Sequence, residues 1–123
     1  MRLSGKMFSA ADYIELGIAR KAAIAESRVL LHPFDAMIYP TVAVTAPTIA
    51  EADASDEAYR TLSMRLVRNT GLVNILDGCA ISIPCHLQGD APVGLSVVGK
   101  SGDDQHILAV ASTIEKILAS RKS

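Results

Sequence analysis

An eight-residue segment near the C-terminus matches the pattern of a phosphate-binding loop. Residues 94–101, GLSVVGKS, fit G-x-x-x-x-G-K-S at every fixed position. In a nucleotide-binding protein the backbone amides of such a loop cradle phosphates, and a helix opens at the lysine. Here the internal positions are strand-like, Pro92 lies just ahead of the first glycine, and Asp103 and Asp104 would repel phosphate. We therefore predict that this segment is a strand and that the chain does not bind ATP.

Cysteine and histidine side chains are the candidates for metal binding. Cys85 and His86 are adjacent, and His106 follows later in the chain. Zinc needs four ligands, or three and a water, and neighbouring residues of an extended strand point to opposite faces. We therefore predict no metal site and no cofactor. Cys79 and Cys85 flank a predicted strand and lie roughly 20 Å apart when extended, so we expect two free thiols rather than a disulfide.

Two serines, Ser82 and Ser96, lie inside strand-like segments. Neither stands in the G-x-S-x-G pattern that exposes a nucleophilic serine at a sharp turn. No Ser/His/Asp set has support from local spacing, although a set assembled only in space stays open. We predict that both serines are hydrogen-bonded core residues, and we assign no catalytic residue.

The strands that position these groups are marked by their composition. Residues 80–83 are a short, largely apolar run bounded by Gly78 and Pro84, and residues 93–98 form a second run closed by Gly99. About eight residues join the two runs, too few for the crossover that a parallel pair requires, so we predict an antiparallel pair. Another strand is expected at residues 36–39, ended by Pro40.

Helices are predicted around these strands. Ser9 and Asp12 form a variant of a capping box, and the helix should run to Leu31, with Pro33 biasing His32 away from helical geometry. Apolar and small residues recur on one side of this helix, which we expect to face a core: Tyr13, Ile14, Gly17, Ile18, Ala22, Ala25 and Val29.

The remaining segments complete the predicted order α-β-α-β-β-α. Residues 41–53 are expected to be a long surface connection that acts as a spacer. A second helix should open at Asp56 and break near residues 69–71, and a last helix should follow Asp104 with one apolar face.

Composition bounds the class of protein. The chain has 123 residues, half of them hydrophobic but only 4% aromatic, which indicates one domain with an aliphatic core and an α/β fold. A net charge of −1 without a basic stripe argues against nucleic-acid binding. No apolar stretch approaches the roughly 20 residues of a membrane span, and residues 1–6 lead into no secretory signal. Unpaired cysteines favour a cytoplasmic location.

The same residues resemble a known family. Asn74, then the run 80–84, then Ala91 to Leu95, then Val98-Gly99, is similar to the C-terminal segment of amidase-signature hydrolases. The resemblance extends to both ends of the chain: Ser9 to Tyr13 with Arg20, Asp35 to Pro40, and Asp104, Leu108, Ala111 and Glu115. It covers nearly the whole chain but only the C-terminal part of a family member.

The resemblance implies an activity that this chain would not perform alone. The family hydrolyses carboxamides through an acyl-serine intermediate, using two serines and a lysine that lie upstream of this segment. No Gly-Gly-Ser-Ser block occurs in the 123 residues. We therefore expect residues 1–123 to be a single incomplete α/β unit, a small mixed sheet with flanking helices. Its partners would be a small-molecule amide in the complete enzyme and either the missing N-terminal portion or a second copy. The alternative is a non-catalytic α/β module that binds a partner or serves a structural role.

One polar cluster, next to the central strand pair, is the candidate site. It consists of Arg68, Asn69, Thr70 and Asn74. One interpretation is helix termination, because Asn and Thr side chains satisfy free backbone groups at a break. The other follows from the resemblance, since the corresponding region of the family lines or braces the pocket that receives the amide. The sequence leaves both open.

Overall fold

A computed structural model describes residues 7–120; the segment 1–6, on which the absence of a secretory signal was predicted, lies outside them. The chain is a mixed α and β structure, as expected from its composition. Its elements follow the order α-β-α-α-β-β-α: α1 Ala10–Leu31, β1 Met37–Pro40, α2 Ile49–Ala52, α3 Asp56–Ile75, β2 Cys79–Pro84, β3 Gly94–Gly99 and α4 Asp104–Ser120.

The three strands form one sheet in the order β1-β3-β2. The predicted antiparallel pairing of β2 with β3 is confirmed, with Ser82 opposite Ser96. The expectation of a mixed sheet is wrong for the described residues, because β1 also pairs antiparallel with β3. Both outer strands run against the central one, and β3 separates them, so no parallel pair forms.

The hydrophobic core lies between α4 and one face of the sheet. Val97 and Ile83 meet Ile107 and Ala111 there, all of them buried. The one-sided apolar pattern of the last helix therefore faces the sheet as predicted. Gly99 allows the close approach, because a β-carbon at that position would lie 2.5 Å from Cγ1 of Ile107.

Helix α1 starts and ends where the sequence predicts. Ser9 and Asp12 form the reciprocal capping box, with the Asp12 amide donating to Ser9 Oγ at 3.1 Å and the Ser9 amide donating to Asp12 Oδ2 at 2.7 Å. His32 departs from expectation. It keeps helical dihedral angles (φ −55°, ψ −41°) in spite of Pro33, because its own amide still bonds within the last turn, to the Val29 carbonyl.

The expectation that the apolar side of α1 faces a core is wrong for the described residues. No residue of this helix is buried, and Tyr13 and Ile14 are 77% and 62% exposed. Only four residues in its C-terminal half are partly covered: Ala23, Ile24, Ser27 and Leu31. Periodicity identified an apolar side, but nothing in the described chain covers it.

Two further corrections concern the segment between β1 and β2. The predicted spacer contains the short helix α2, which begins after Thr48, where Thr48 and Glu51 form a second capping box. The predicted helix break near residues 69–71 does not occur, because α3 is one continuous helix of 20 residues. Within the described residues, no helix is long and apolar enough to cross a membrane.

Candidate functional site

Asn69 joins the middle of the chain to the sheet. Its side-chain Nδ2 donates to the backbone carbonyl of Pro40 at 2.7 Å, and its own backbone carbonyl accepts from the Tyr39 hydroxyl at 3.3 Å. These two bonds fasten α3 to the end of β1. They also satisfy polar groups that would otherwise favour a helix break, which explains why α3 continues through this position.

The other three residues of the predicted cluster lie elsewhere on α3. Arg68 is exposed, with Nε at 3.4 Å from Oδ1 of Asn69. Thr70 is exposed and bonds its own helix at the Val67 carbonyl, 3.2 Å away. Successive helical residues are rotated by about 100°, so the three adjacent side chains of the cluster leave the helix in different directions.

Asn74 lies in the last turn of α3, where a side chain of α1 caps the helix. Arg20 Nη2 donates to the Asn74 carbonyl at 3.1 Å, and the same guanidinium lies 3.7 Å from Oδ1 of Asp77. A cation at this position suits the negative end of the helix. Asn74 therefore lies close to a helix end, whereas Asn69 and Thr70 are internal. The interpretation as helix terminators is wrong for those two residues.

A cluster of hydroxyls lies on the sheet where its three strands meet. The Thr41 hydroxyl oxygen is 2.6 Å from that of Ser82 and 2.9 Å from that of Ser96. Ser96 is a buried, hydrogen-bonded core residue as predicted, with 5% of its surface exposed, but Ser82 is exposed. Gly94 is required beside them, because a β-carbon there would lie 2.5 Å from Ser82 Oγ and 2.9 Å from Thr41 Oγ1.

Sequence reasoning missed Thr41 as a member of this group. Residues 41 and 96 are far apart in the chain, and their contact depends on β1 pairing with β3. One signal was present: Ser82 and Ser96 become direct partners once the hairpin register is worked out. Their shared face could then have been recognised as polar.

The chemistry open to the hydroxyl cluster is hydrogen bonding. An attacking serine needs an adjacent base or another activating group. Among the described residues, the hydrogen bonds of these hydroxyls join only one another and no histidine, lysine or carboxylate. Two bonds use two of the three hydroxyl protons, so one donor stays available to a polar neighbour.

Neither cysteine is part of a disulfide, as predicted. The thiol of Cys79 donates to the Lys100 carbonyl at 3.3 Å. Burial, with a smaller contribution from the charge of Asp104, raises the pKa of the Cys79 thiol, which keeps it protonated and unreactive. In residues 7–120, no three Cys, His, Asp or Glu side chains come together as a metal site.

The segment that matches a phosphate-binding loop is a paired strand. Residues 94–99 form β3 at the centre of the sheet, so their amides are not arranged as a loop. Lys100 Nζ lies 3.5 Å from Oδ2 of Asp103, a carboxylate where a nucleotide would place phosphate. This geometry agrees with the sequence-based argument against nucleotide binding.

Comparison with known proteins gives the class of this chain. A family model described as Amidase matches residues 1–108. The chain therefore belongs to the amidase family, and the resemblance to amidase-signature hydrolases is confirmed. No solved structure gives a significant match.

Several curated proteins are similar to the chain. The 2-amino-5-chloromuconic acid deaminase of Comamonas testosteroni is 26% identical over 111 residues, 89% of this chain and 24% of the deaminase. One polypeptide of the glutamyl-tRNA(Gln) amidotransferase from Sulfurisphaera tokodaii is 30% identical over 72% of this chain and 18% of that polypeptide. A fatty acid amide hydrolase from Oryza sativa subsp. indica is 26% identical over 94% of this chain and 19% of the hydrolase. The chain thus spans no more than 24% of the length of these relatives.

Proposed function

We propose that residues 1–123 act as the C-terminal part of an amidase-signature hydrolase that cleaves carboxamides through an acyl-serine intermediate. The two serines and the lysine of that chemistry would lie in a preceding portion of the enzyme. This chain would supply strands of the sheet, covering helices and part of the pocket wall. The free thiols of Cys79 and Cys85 support a cytoplasmic location.

The observation that carries the proposal is the uncovered apolar side of α1. A helix with this pattern normally buries one side against a core, yet none of its 22 residues is buried. Tyr13 and Ile14 stand with Ile18, Val29 and Leu30 among the exposed large hydrophobic side chains of the chain. A larger enzyme body would cover this side, and the family match indicates which kind of enzyme it would be.

Within such an enzyme, Asn69 would position the pocket rather than take part in the chemistry. Its bond to the Pro40 carbonyl holds α3 against the strand end where the hydroxyls of Thr41 and Ser82 are grouped. Pocket-wall roles for Arg68, Thr70 and Asn74 stay predictions. Pocket groups of this kind act by holding a substrate in a reactive geometry, which can supply a large part of a rate enhancement.

The second candidate is a non-catalytic α/β module that binds a partner or copies of itself. The same exposed side of α1 favours it, because large uncovered apolar patches mark interaction surfaces. The two candidates differ in chemistry: the first requires an upstream portion that carries the nucleophile, and the second does not.

The test compares amide turnover by the 123-residue chain with turnover by a polypeptide extended upstream to include a Gly/Ser-rich block. We expect the short chain to be inert on simple aliphatic and aryl amides and the extended polypeptide to be active. Replacing the block serines of the extended polypeptide by alanine provides the matched control and should abolish turnover. Turnover by the short chain that survives repeated purification would overturn the proposal.

An extended polypeptide that folds, carries the Gly/Ser block and stays inert on a broad amide panel would favour the binding module instead. Sedimentation of the isolated chain adds a second measurement. A clean monomer at high concentration that binds no apolar dye would contradict the role assigned to the exposed side of α1 in both candidates.

A further inference from the structure

The outer side of α3 carries a stripe of basic residues. Arg60, Arg65 and Arg68, together with Thr61 and Met64, line an open groove of about 450 Å³. We call these five residues the arginine stripe. The three arginines are exposed, and they fall within about 12 Å along the helix axis at 1.5 Å per residue. The stripe lies on a different side of α3 from Val73, which is buried.

The charges of the stripe are not neutralised by the described part of the chain. No carboxylate in residues 7–120 lies within 4.0 Å of the three guanidinium groups; the ion pairs found there belong to Arg20, Lys100 and His106. Arg65 and Arg68 are three residues apart, so their like charges repel on the helix surface. Helix stability alone therefore does not favour this arrangement.

We propose that the arginine stripe is a docking surface for an acidic polypeptide segment, an amphipathic helix with carboxylates beside an apolar strip. Guanidinium groups match carboxylates in planar, bidentate geometry. The surface between the arginines is apolar: Met64 is 58% exposed, and Val67 beside it is 51% exposed. A partner with apolar residues flanked by Asp or Glu would cover both kinds of surface at once.

Two alternatives fit the stripe less well. A nucleic acid would also pair with arginines, but the groove lining contains no aromatic ring on which bases could stack, and the chain has a net charge of −1. A second copy packed through this face would bring arginines against arginines, which is unfavourable. The placement of Arg68 beside Arg60 and Arg65 favours this role over a pocket wall, and the inference does not depend on the proposed hydrolysis.

The test uses a fluorescently labelled amphipathic helical peptide of leucine and glutamate, a matched peptide with glutamine for glutamate, and a single-stranded DNA oligonucleotide. Fluorescence anisotropy measures their binding to the full 123-residue chain. We expect the glutamate peptide to bind at least about tenfold more tightly than the glutamine peptide, with affinity that falls as salt rises. The oligonucleotide should bind more weakly than the glutamate peptide.

The variants decide whether the stripe is responsible. Arg60→Glu with Arg65→Glu should weaken peptide binding about tenfold or more. Lys21→Glu with Lys116→Glu makes the same change in net charge at exposed positions on α1 and α4, and it should leave binding unchanged. Circular dichroism checks folding, and the milder changes to Gln serve if the Glu variant loses helix. Equal affinity for the two peptides, equal losses in the two charge variants, or tighter binding of the oligonucleotide would each overturn the inference.

Discussion

Replacement of Gly99 by alanine should strongly destabilise the chain, because this position sets the distance between β3 and α4. A β-carbon at Gly99 would lie 2.5 Å from Cγ1 and 2.8 Å from Cδ1 of Ile107. Ile107 is only 2% exposed, so its side chain has no free space into which it can turn. Overpacking of this kind costs about 1–3 kcal/mol of unfolding free energy, and the contact distances place Gly99→Ala in the upper half of that range.

A second glycine provides the matched control. Gly71 lies inside the continuous helix α3, and a β-carbon there meets nothing within 4 Å. Gly71→Ala should therefore stabilise the chain by about 0.5–1 kcal/mol, because alanine favours the helix. The same chemical change is expected to have opposite signs at the two positions.

The assay is urea unfolding of the four combinations of Gly99→Ala and Ile107→Ala. Ile107→Ala alone should cost about 2–5 kcal/mol through loss of a buried side chain. It also removes the two carbons that a β-carbon at position 99 would strike. In that background, Gly99→Ala should cost less than about 0.5 kcal/mol, which gives a clear interaction energy. A Gly99→Ala variant as stable as the parent, or a loss that is the same in both backgrounds, would refute this account.

Further predictions concern the site and the two thiols. Calorimetry should detect no micromolar ATP binding, and Lys100→Ala should change nothing; binding abolished by that change would contradict the strand interpretation. In an active extended polypeptide, Asn69→Ala should lower turnover and weaken unfolding stability together, because the amide fastens α3 to β1. Asn74→Ala should lower turnover more than stability if that side chain lines the pocket, and the reverse would leave it a helix-end residue. In a Cys85→Ser variant, iodoacetamide should modify Cys79 more slowly in the folded chain than in urea. Because burial raises the pKa of this thiol, folded and unfolded rates should converge only at pH above its folded pKa, and equal rates near pH 8 would exclude the effect. The same shift should make folding less stable as pH rises above the ordinary thiol pKa.

The sequence predicted the elements best where local punctuation was strong. Pro84 and Gly99 end strands because one lacks an amide hydrogen and the other lies in a position with no room for a side chain. The capping box at Ser9 likewise depends on residues only three apart. These features are local, so they could be recognised without knowledge of the fold.

The failures concern contacts between distant parts of the chain. Asn69, with Thr70 and Gly71, has the composition of a helix end, but bonds to Pro40 and Tyr39 hold the helix together there. Local propensity was overridden by tertiary structure. The same applies to the candidate site: three adjacent residues in sequence suggested one polar cluster, whereas helical rotation separates their side chains.

The hydroxyl cluster was out of reach for the same reason. Thr41 meets Ser82 and Ser96 only after three strands from different parts of the chain have assembled. Hydrophobic periodicity also showed that α1 has an apolar side, but it carries no information on what covers that side. The sequence thus predicts elements and faces more readily than it predicts the contacts between them.

The position of β3 at the centre of the sheet has a consequence for synthesis of the chain. β1 ends at Pro40, but the strand with which it pairs ends only at Gly99. At about 5–20 residues per second of translation, this interval is roughly 3–12 s. Throughout that time the edges of β1 are unsatisfied in the nascent polypeptide, and so is β2 until the hairpin closes. Ribosome-bound chains halted before residue 94 should therefore be cut readily by protease near β1, whereas chains released after Gly99 should resist. The last strand to emerge is the one that allows the sheet to form.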